Sequence, residues 1–402
     1  MGSECLNERI ILKMQQIVEV VIIGGGLTGA ALASGLKKYG FDVAVIEQED
    51  APSFNPLSNP DLRVSAISGA SVNLLKQLEV WPQVLRMRCA PYRVQEIWEY
   101  SMARVTLDAR SLGLTELGYI VENHVLKYAL SKRLYHQNVF LLYKTRLKNL
   151  QRINGIWHIS LDNGKILQAY LIVGADGAHS QVRKLANIGI RGWQYAQSCM
   201  LISVRCLNHP GNITWQKLTP EGPRAFLPLF GSWASLVWYG EHNYIKKLKL
   251  MNMLQLKREI RLHFPDRIGN IIPIIAGSFV LNCSHAMNYI LPGLVLVGDA
   301  AHTVHPLTGQ GVNLGYRDVS TLITILKEAR YQSDHWWSIK VLQSYQHQRQ
   351  KDNHLMQNGI DLLYRIFSNQ CLSVKIIRNL GLIVANNAGA IKNDVLAYML
   401  GL

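Results

Sequence analysis

Residues 18–50 read "VEVVIIGGGLTGAALASGLKKYGFDVAVIEQED". The β-branched run over residues 18–23 predicts a buried strand, and the Ala- and Leu-rich segment that continues to about residue 39 predicts a helix. A second apolar run over residues 42–46 predicts another strand, which ends at Glu47. A strand, a glycine turn, a helix and a second strand in this order predict the first βαβ unit of a parallel sheet.

The turn "GGGLTG" at residues 24–29 carries the pattern of a dinucleotide site. Gly24 permits the tight turn, Gly26 lets the backbone approach a pyrophosphate, and Gly29 lets the helix lie close to its strand. The helix N-terminus supplies free N–H groups and a positive dipole for the phosphates. Glu47 lies about 20 residues farther on, where it can accept the ribose hydroxyls of an adenosine, and an acid there favours FAD or NAD over NADP.

Two further strand-to-glycine junctions follow, "LIVGADGAHSQVRKLANI" at residues 171–188 and "GDAAHTVHPLTGQGVNLGYRD" at residues 298–318. In the first, Asp176 is either a ligand or the N-cap of a short basic helix. In the second, Asp299 stands at the end of a buried strand, and two glycines precede a new helix N-terminus. Open α/β sheets bind ligands at such strand ends, so this junction is a second candidate for an anion or a polarised carbonyl.

The totals exclude several classes of protein. The 402 residues are 49% hydrophobic, which predicts a large globular core. The six cysteines form no C-x-x-C pair, which argues against a disulfide framework or a zinc site and favours a reducing compartment. The formal charge of +15 is spread along the chain without a basic block or a nucleic-acid module, so a solvated surface is favoured and no nucleic-acid partner is expected.

The termini and the hydropathy lead to further expectations. No apolar run reaches the roughly 18 residues of a membrane span. The first residues lack the apolar core of a signal peptide, and we expect Met14 to be the native start. The apolar stretch from residue 380 to the C-terminus either covers the core, which is the more frequent outcome, or docks on a partner or on lipid; it is also a candidate wall of an apolar channel.

The three glycine junctions together resemble the aromatic-hydroxylase family of FAD-dependent monooxygenases, which share the fold of p-hydroxybenzoate hydroxylase. The resemblance implies an α/β fold: a Rossmann-like FAD-binding domain with an inserted antiparallel-sheet substrate domain and C-terminal helices. The implied boundaries are 14–80, 120–188 and 284–335 for the discontinuous FAD-binding domain, 81–119 and 189–283 for the substrate-binding sheet domain, and 336–402 for the helical segment.

The resemblance also implies which residues contact the flavin, and it leads us to expect the three junctions to converge on one isoalloxazine ring. Asp299 would contact the ribityl chain, and residues 309–313 would run past the ring. For Arg63 the alternative is an ordinary surface cation. The implied FAD contacts are Gly24, Gly26, Gly29, Glu47, Arg63, Asp176, Asp299, Gly309, Gln310, Gly311, Val312 and Asn313.

Segments such as "DLRVSAISGASVNLLKQLEVW", "GPRAFLPLFGSWASLVWY" and the C-terminal "RNLGLIVANNAGAIKNDVLAYMLGL" are similar to the ubiquinone-biosynthesis hydroxylases, most of all to the bacterial 3-demethoxyubiquinol 3-hydroxylases. This similarity implies a polyprenyl quinol substrate, FAD as cofactor, NAD(P)H as reductant and O2 as co-substrate. In this family the quinol ring is hydroxylated through a flavin C4a-hydroperoxide.

For the substrate we expect ring contacts from Phe226, Leu227, Pro228 and Pro306. His305 is the candidate catalytic residue, because it could hydrogen-bond a substrate hydroxyl. The alternative is that His302 and His305 are satisfied loop histidines. No side-chain nucleophile with an adjacent base and no metal-binding spacing is present in the sequence.

The chain departs from the family pattern at "FVLNCSHA", residues 279–286, where Val280, Asn282, Cys283 and Ser284 replace the usual residues. Thr308 stands in place of the usual Ala, and Lys127 in place of a common Gln.

Three alternatives to this activity stay open at this point: hydroxylation of another ring position in the same pathway, a flavin reductase, and a non-catalytic scaffold of a quinone-synthesis complex. The same resemblance leads us to expect a cytoplasmic protein that can join such a complex or contact the inner face of the membrane peripherally.

Overall fold

The computed structural model describes residues 17–306, 309–333 and 335–401. The expected Met14 start and Thr308 lie outside these described residues. The elements of the first half are β1 Ile17–Ile23, α1 Leu27–Lys38, β2 Val43–Ile46, β3 Val64–Ser68, α2 Gly69–Gln77, α3 Trp81–Arg86, β4 Ala90–Tyr92, β5 Val94–Trp98, β6 Arg104–Asp108, β7 Gly118–Glu122, α4 Asn123–His136, β8 Phe140–Leu142, β9 Leu147–Ile153, β10 Ile156–Leu161, β11 Ile166–Gly174 and α5 Gln181–Leu185.

The remaining described elements are β12 Ile190–Cys206, β13 Ile213–Lys217, β14 Arg224–Pro228, β15 Trp233–Glu241, α6 His242–Leu250, α7 Met253–His263, β16 Ile271–Ala286, β17 Ile290–Leu291, β18 Leu294–Leu296, β19 His302–Thr303, α8 Gly311–Gln332, α9 Ile339–Ser368, α10 Leu372–Asn387 and α11 Ala390–Leu400. Short 3-10 turns cover Ala109–Leu112, Asp266–Ile268 and Gly298–Ala300.

The first sheet has a parallel core in the order β8-β2-β1-β11-β18. Its central strands are almost wholly apolar and buried, because helices cover both faces of a parallel sheet. The antiparallel strands β10 and β9 extend β11, and β17 closes the other edge. The βαβ unit predicted from residues 18–50 is confirmed: β1 pairs in parallel with β2, and α1 connects them.

The second sheet is built almost entirely from antiparallel pairs, in the order β19-β16-β12-β15-β14-β13-β5-β6. Among the described strands of this sheet, only β5 and β13 pair in parallel. Its long strands β12 and β16 pair with each other from Ile190 opposite Ala286 at one end to Cys206 opposite Ile271 at the other. The smaller sheet β3-β7-β4 is antiparallel. This arrangement confirms the expected α/β class with a large antiparallel sheet.

The large sheet is buried on both faces, for different reasons. On one face, Phe226 and Trp238 pack against the inner residues of α6 and α7, such as Ile245, Leu256 and Ile260. The opposite face borders an open cavity. Antiparallel sheets commonly have one face in solvent. The strands of this sheet are apolar on both sides because one face packs on helices and the other lines the cavity.

Four helices follow the last glycine junction in the described part of the chain. α8 packs on α1 and α9, and α9 extends along the molecule for 30 residues. α10 packs beside β6, and α11 lies next to the Ala109–Leu112 turn. None of the described helices is both long enough and apolar enough to cross a membrane.

Candidate active site

A cavity of about 730 Å³ lies where the parallel strands end. The loops that follow β1, β11 and β18 form one wall, and the inner face of the large antiparallel sheet forms another. α11 contributes Leu396, Met399 and Leu400, as its sequence suggested for an apolar wall. Because open α/β sheets bind ligands beyond the carboxyl ends of their strands, this cavity is the candidate active site.

The first glycine loop has the backbone that a close ligand approach needs. Gly24 has a φ of +102°, and a Cβ there would lie 2.4 Å from the Ala175 carbonyl oxygen. A Cβ on Gly29 would lie 1.9 Å from the Gly24 carbonyl oxygen, so the helix can start this close to β1 only with glycine. Gly26 faces open space and lines the cavity. Within the described part of the chain no side chain caps α1, so its first N–H groups remain available to an anion.

Glu47 lies on the far side of this loop, outside the large cavity. Its carboxylate accepts hydrogen bonds from the backbone N–H of Gly25, at 2.6 Å, and of Glu49, at 2.8 Å. A small separate pocket lies there, lined by Gly25, Glu47 and residues of α4 and β8 such as Ser131 and Leu142. Glu47 is therefore placed for one end of an extended ligand, with Gly26 between it and the cavity.

Asp176 has a structural role in the turn before α5, whose N-cap residue is Ser180. Its side chain accepts hydrogen bonds from the Ser180 hydroxyl, at 2.6 Å, and from the N–H groups of Gln181 and Val182 at the start of α5. The carboxylate is thus a helix cap, and its neighbours Ala175 and Gly177 line the cavity instead.

The expectation that the three junctions converge needs a correction. Their loops do meet: Arg183 of α5 donates hydrogen bonds to the carbonyl oxygens of Ala178 and Ala300, at 2.8 Å each, and so ties the second junction to the third. The acidic side chains do not meet, because Glu47 faces the small pocket and Asp176 caps a helix. Only Asp299 faces the large cavity.

Asp299 and Arg63 place opposite charges on the cavity wall. Asp299 follows Gly298, whose φ of +58° turns the chain sharply at the end of β18. Burial raises the pKa of the Asp299 carboxyl, while His302 and Arg63 act in the opposite direction. Arg63 is exposed and lines the same cavity, so it is more than a remote surface cation. The pair can accept and donate hydrogen bonds to a polyhydroxyl chain.

The third junction presents bare backbone to the cavity. Gly309 has a φ of +64°, and a Cβ on Gly311 would meet no atom within 4 Å. Among the described residues, no side chain caps α8, which begins at Gly311, and Val312 also lines the cavity. The buried Gln310 side chain leaves its Oε1 without a hydrogen-bond partner among the described residues. These features suit a flat ring with polar edges, since the dipole of α8 stabilises negative charge there.

The Asn313 side chain itself holds the fold together. Its Oδ1 accepts hydrogen bonds from the Ser68 N–H, at 3.0 Å, and from the Ser71 hydroxyl, at 2.7 Å, and its Nδ2 donates to the Ala66 carbonyl, at 2.8 Å. Asn313 therefore fixes the N-terminus of α8 against β3 and α2. The resemblance predicts that Asn313 contacts the ligand. Because its side-chain amide is already hydrogen-bonded, such a contact would come from the atoms of Asn313 that border the cavity.

A buried polar network behind Asp299 was missed in the sequence. Asp318 of α8 pairs with His302 Nε2, at 2.6 Å, and with Arg349 Nε, at 2.8 Å, and it accepts a hydrogen bond from the Gly298 N–H, at 3.0 Å. His302 and the Arg349 guanidinium hold the pKa of the Asp318 carboxyl well below its usual range despite its burial. His302 is thus a structural partner, and the network fixes the turn that carries Asp299.

The placement of His305 corrects its predicted role. Its ring is buried among Tyr195, Tyr239 and Tyr364, with ring centroids at 4.7, 5.6 and 5.2 Å, and it does not line the cavity. Burial lowers the pKa of His305 to about 4, so the ring is neutral near pH 7. Pro306 does line the cavity, and its carbonyl accepts a hydrogen bond from the Tyr239 hydroxyl at 3.1 Å.

The expected ring contacts on β14 divide by strand alternation. Leu227 points into the cavity, as does Ala225 two residues earlier. Phe226 lies on the opposite face, where its ring stacks on Trp215 with centroids 5.5 Å apart. The predictions for Phe226 and Pro228 are therefore corrected, since neither lines the cavity. Other strands complete the apolar wall with Cys199, Leu201, Val237, Tyr239, Phe279 and Leu281.

The departures from the family pattern are split between the cavity and its surroundings. Val280 and Asn282 line the cavity, whereas Cys283 is buried behind them and Ser284 hydrogen-bonds to Thr303. Lys127 lines the cavity and donates a hydrogen bond to Glu49, at 3.0 Å.

A polar edge of the cavity was also missed. Gln95, Thr214 and Gln216 project from the neighbouring strands β5 and β13, and the buried Gln216 leaves its Nε2 without a partner among the described residues. Alternation along "ITWQK", Ile213–Lys217, was the available signal.

Comparisons with known proteins agree with this geometry. The model of a family described as "FAD binding domain" matches residues 17–356. The chain is 53% identical over 388 residues to the 3-demethoxyubiquinol 3-hydroxylase of Escherichia coli, covering 96% of this chain and 99% of that protein. It is 30% identical to the human ubiquinone biosynthesis monooxygenase COQ6, with 95% and 92% covered.

Solved structures show the same fold at low identity. The p-nitrophenol 4-monooxygenase PnpA of Pseudomonas putida superposes with a TM-score of 0.78 at 16% identity, covering 96% of this chain and 98% of that one. Aklavinone-11 hydroxylase, solved with FAD and aklavinone, superposes with a TM-score of 0.69 at 20% identity, covering 87% and 69%. From its glycine junctions, its cavity and its relatives, the chain belongs to the FAD binding domain family and is an FAD-dependent monooxygenase.

Proposed function

We propose that the chain hydroxylates the ring of a polyprenylated quinol, namely 3-demethoxyubiquinol at position 3, in ubiquinone biosynthesis. The observation that carries the proposal is the cavity, in which the bare backbone of residues 309–312 faces the apolar wall of the large sheet. The relative at 53% identity, which spans almost the whole chain, indicates the ring position.

The chain has residues suited to each part of FAD. The uncapped start of α1 at Gly26 would take the pyrophosphate, and Glu47 would take the adenosine ribose. Arg63 and Asp299 would border the ribityl chain, and the start of α8 would border the ring. Bound FAD would supply the redox chemistry, in which NAD(P)H is the electron donor and O2 the oxygen source.

The protein's own part is to orient the quinol ring and to exclude water. Leu227, Val237 and Pro306 offer apolar surfaces for the ring. The hydroxyl groups of a quinol already make its ring electron-rich, so the protein need not provide a strong base. Few of the described side chains on the cavity face of the large sheet are titratable. Burial raises the pKa of the Tyr239 hydroxyl well above its ordinary value, so this group stays protonated. A water-free wall protects a reactive oxidant from discharge.

The purified holoprotein should consume NAD(P)H and O2 in the presence of a demethoxyubiquinol and add one oxygen atom to it. Mass spectrometry after reaction under 18O2 should show a mass increase of one 18O atom in the quinol product. A bacterium that lacks the chain should accumulate the 3-demethoxy precursor. Accumulation of a precursor that lacks another ring substituent would reassign the position, and oxidation of NAD(P)H without any hydroxylated product would favour a reductase.

We further propose peripheral contact with the cytoplasmic face of the membrane, where a polyprenyl quinol resides, and association with other enzymes of the pathway. The supporting observations are the apolar helices at the C-terminal end of the chain and the net charge of +15, which favours anionic lipid surfaces.

A further inference from the structure

α10 and α11, which follow each other in the chain, each expose a set of apolar side chains, and we call the two sets together the outer face. Ile377 is 69% exposed, Val384 67% and Ile391 68%, although large aliphatic residues are usually buried. At 100° per residue, the α10 members fall within one side of the helix. The outer face consists of Leu372, Ile376, Ile377, Leu380, Val384, Ile391 and Val395.

The inner side of α10 carries polar groups at the places where a surface helix usually carries apolar ones. Arg378 is buried and paired with the equally buried Glu99, and Asn379 donates a hydrogen bond to the same carboxylate at 2.8 Å. Farther along, Asn386 accepts a hydrogen bond from the Thr106 N–H at 3.0 Å. α10 is therefore held to β6 and its neighbours largely by polar contacts, and its most apolar side points away from the protein.

An apolar side that points outward needs an apolar partner. The charges favour a bilayer with anionic headgroups over a second copy of the chain. Arg378 is neutralised by Glu99, so the charges left on α10 and α11 are those of Lys375, Lys392 and Asp394. This part of the chain is therefore weakly basic. Two copies, each of formal charge +15, would repel each other across this face, whereas an anionic surface attracts it.

α11 connects the outer face to the active-site cavity. Leu396, Met399 and Leu400 line the cavity, while Ile391 and Val395 are exposed on an adjacent side of the same helix. A helix with its side chains is only about 10 Å thick, so a bilayer on the outer face lies one helix away from the cavity. We propose that the outer face inserts into the interfacial layer of an anionic bilayer, where the prenyl chain of the substrate resides. This inference rests on the proposed function for the substrate alone.

A second apolar and basic surface provides the matched control. α7 exposes Leu254 and Leu262, which are 63% and 75% exposed, beside several lysines and arginines. It covers the face of the large sheet that points away from the cavity. A surface that binds lipid only because it is basic and apolar would include α7, whereas a surface that serves the cavity would be the outer face of α10 and α11.

The test compares I377E/V384E with L254E/L262E in the full-length holoprotein. Both variants add the same charge at exposed apolar positions. Flotation with phosphatidylethanolamine–phosphatidylglycerol vesicles should show binding of the wild type, with phosphatidylcholine vesicles binding more weakly. Binding should fall at least about tenfold for I377E/V384E and stay within about twofold for L254E/L262E. Equal binding of wild type and I377E/V384E, or selective loss with L254E/L262E, would overturn the proposal.

Two readouts separate other outcomes. Both variants should hydroxylate a short-chain, water-soluble quinol at the wild-type rate. If no quinol is hydroxylated even by the wild type, the proposed function fails while the vesicle result still decides the outer face. Sedimentation without lipid distinguishes a second copy: a wild-type dimer that I377E/V384E dissociates, without vesicle binding, contradicts the bilayer.

A gain-of-signal variant makes the test independent of a folding defect in the double mutant. In I377W the added tryptophan should be quenched by brominated acyl chains of the anionic vesicles, measured as the difference from the wild type. Absence of added quenching in a protein that retains its FAD would also overturn the proposal.

Discussion

At the scale of single residues, Gln310 has a buried side-chain acceptor that is unsatisfied in the protein alone and that a bound ligand could satisfy. Its side chain is buried at the start of α8, and its Oε1 accepts no hydrogen bond within the described chain. A buried acceptor without a partner costs about 1–3 kcal/mol. The hydroxyl of a quinol or the edge of a flavin could donate to it, so this cost would be recovered on ligand binding.

Gln310→Leu tests this role because it preserves the size of the side chain. We expect the ligand-free protein to be equally stable or slightly more stable, since an unsatisfied acceptor is removed. The KM for the quinol or the Kd for FAD should rise about tenfold, corresponding to one lost hydrogen bond to a buried group. Thermal unfolding, quinol kinetics and FAD titration measure these effects. A marked loss of stability with unchanged ligand binding would make Gln310 a structural residue.

His305 leads to a prediction about pH. Burial lowers its pKa from 6.5 to about 4, so between these values the unfolded chain binds a proton that the native chain does not. Stability is therefore fully present above pH 6.5 and is lost as pH falls toward 4, by about 1.4 kcal/mol per pH unit. His305→Phe should flatten the slope of unfolding free energy against pH by about this amount, as urea titrations between pH 4.5 and 6 would show. An unchanged slope would contradict the burial-driven shift.

Asp176 and Asp299 occupy similar positions in the sequence, but their carboxylates have different environments in the structure. Both follow a buried strand and a glycine, and the resemblance assigns both to FAD. Asp176 instead has its carboxylate taken up by Ser180 and the N–H groups of α5, whereas Asp299 faces the cavity. The pattern predicts that an acid stands at each strand end. The sequence pattern does not predict the side-chain rotamer or the path of the loop, and these decide which N–H groups the carboxylate contacts.

At the scale of elements, secondary structure is most predictable where an apolar pattern in the sequence can arise from a single buried face. The βαβ unit at residues 18–50 was predictable because apolar strands, the glycine turn and the helix each have a distinct pattern. The phase of β14 was not predictable in the same way. Phe226 and Leu227 are both large and apolar, and both faces of the large sheet are covered, so hydrophobicity alone does not tell the helix-covered face from the cavity face.

Another element-scale property is how α8 and α9 hold the third junction. Asp318 accepts hydrogen bonds from the Gly298 N–H, His302 and Arg349, and all of these groups are buried. Removing the charge of Asp318 leaves the buried Arg349 with Asp352, at 2.7 Å, as its remaining carboxylate partner, so we expect a cost at the lower end of that for an unpaired buried charge. Breaking a buried ion pair from one side costs about 3–5 kcal/mol.

Asp318→Asn should therefore lower the free energy of unfolding by about 3 kcal/mol and weaken FAD binding, because the turn that carries Asp299 loses its support. The matched control is Asp50→Asn, which removes an exposed pair with Lys144 and should leave the free energy of unfolding nearly unchanged, because water screens exposed charges. Urea denaturation and FAD titration measure both variants. Equal effects of the two substitutions would show that burial of the Asp318 network is energetically unimportant.

At the scale of the whole molecule, the cavity is assembled from chain segments that are far apart in sequence. The Asn313 side chain bonds to Ala66, 247 residues away, and Arg183 bonds to Ala300, 117 residues away. Residues of α11, near the C-terminal end, line the same cavity as the loop that follows β1. Such contacts depend on how the sheets are placed relative to each other. Local patterns therefore predicted the glycine junctions, while the resemblance was needed to bring them together.

The closing wall itself gives the last prediction. Leu396 is buried in α11 and lines the cavity, so Leu396→Asn would bring a hydrated side chain to a wall that we expect to exclude water. Water near the reaction discharges the oxidant before it reaches the ring. The amount of hydrogen peroxide released per NAD(P)H consumed should rise at least about threefold with a short-chain quinol, with FAD retained.

Asp394→Asn, on an exposed position of the same helix, is the control and should leave this ratio unchanged. Both variants are compared after confirming equal FAD content, since a displaced α11 could loosen the fold around Arg317, whose guanidinium donates to the last carbonyls of the helix. If Leu396→Asn releases no more peroxide than Asp394→Asn, α11 does not exclude water during turnover. The apolar wall of the large sheet would then have to protect the reaction without it, and the terminal helix would act mainly as the support for the outer face.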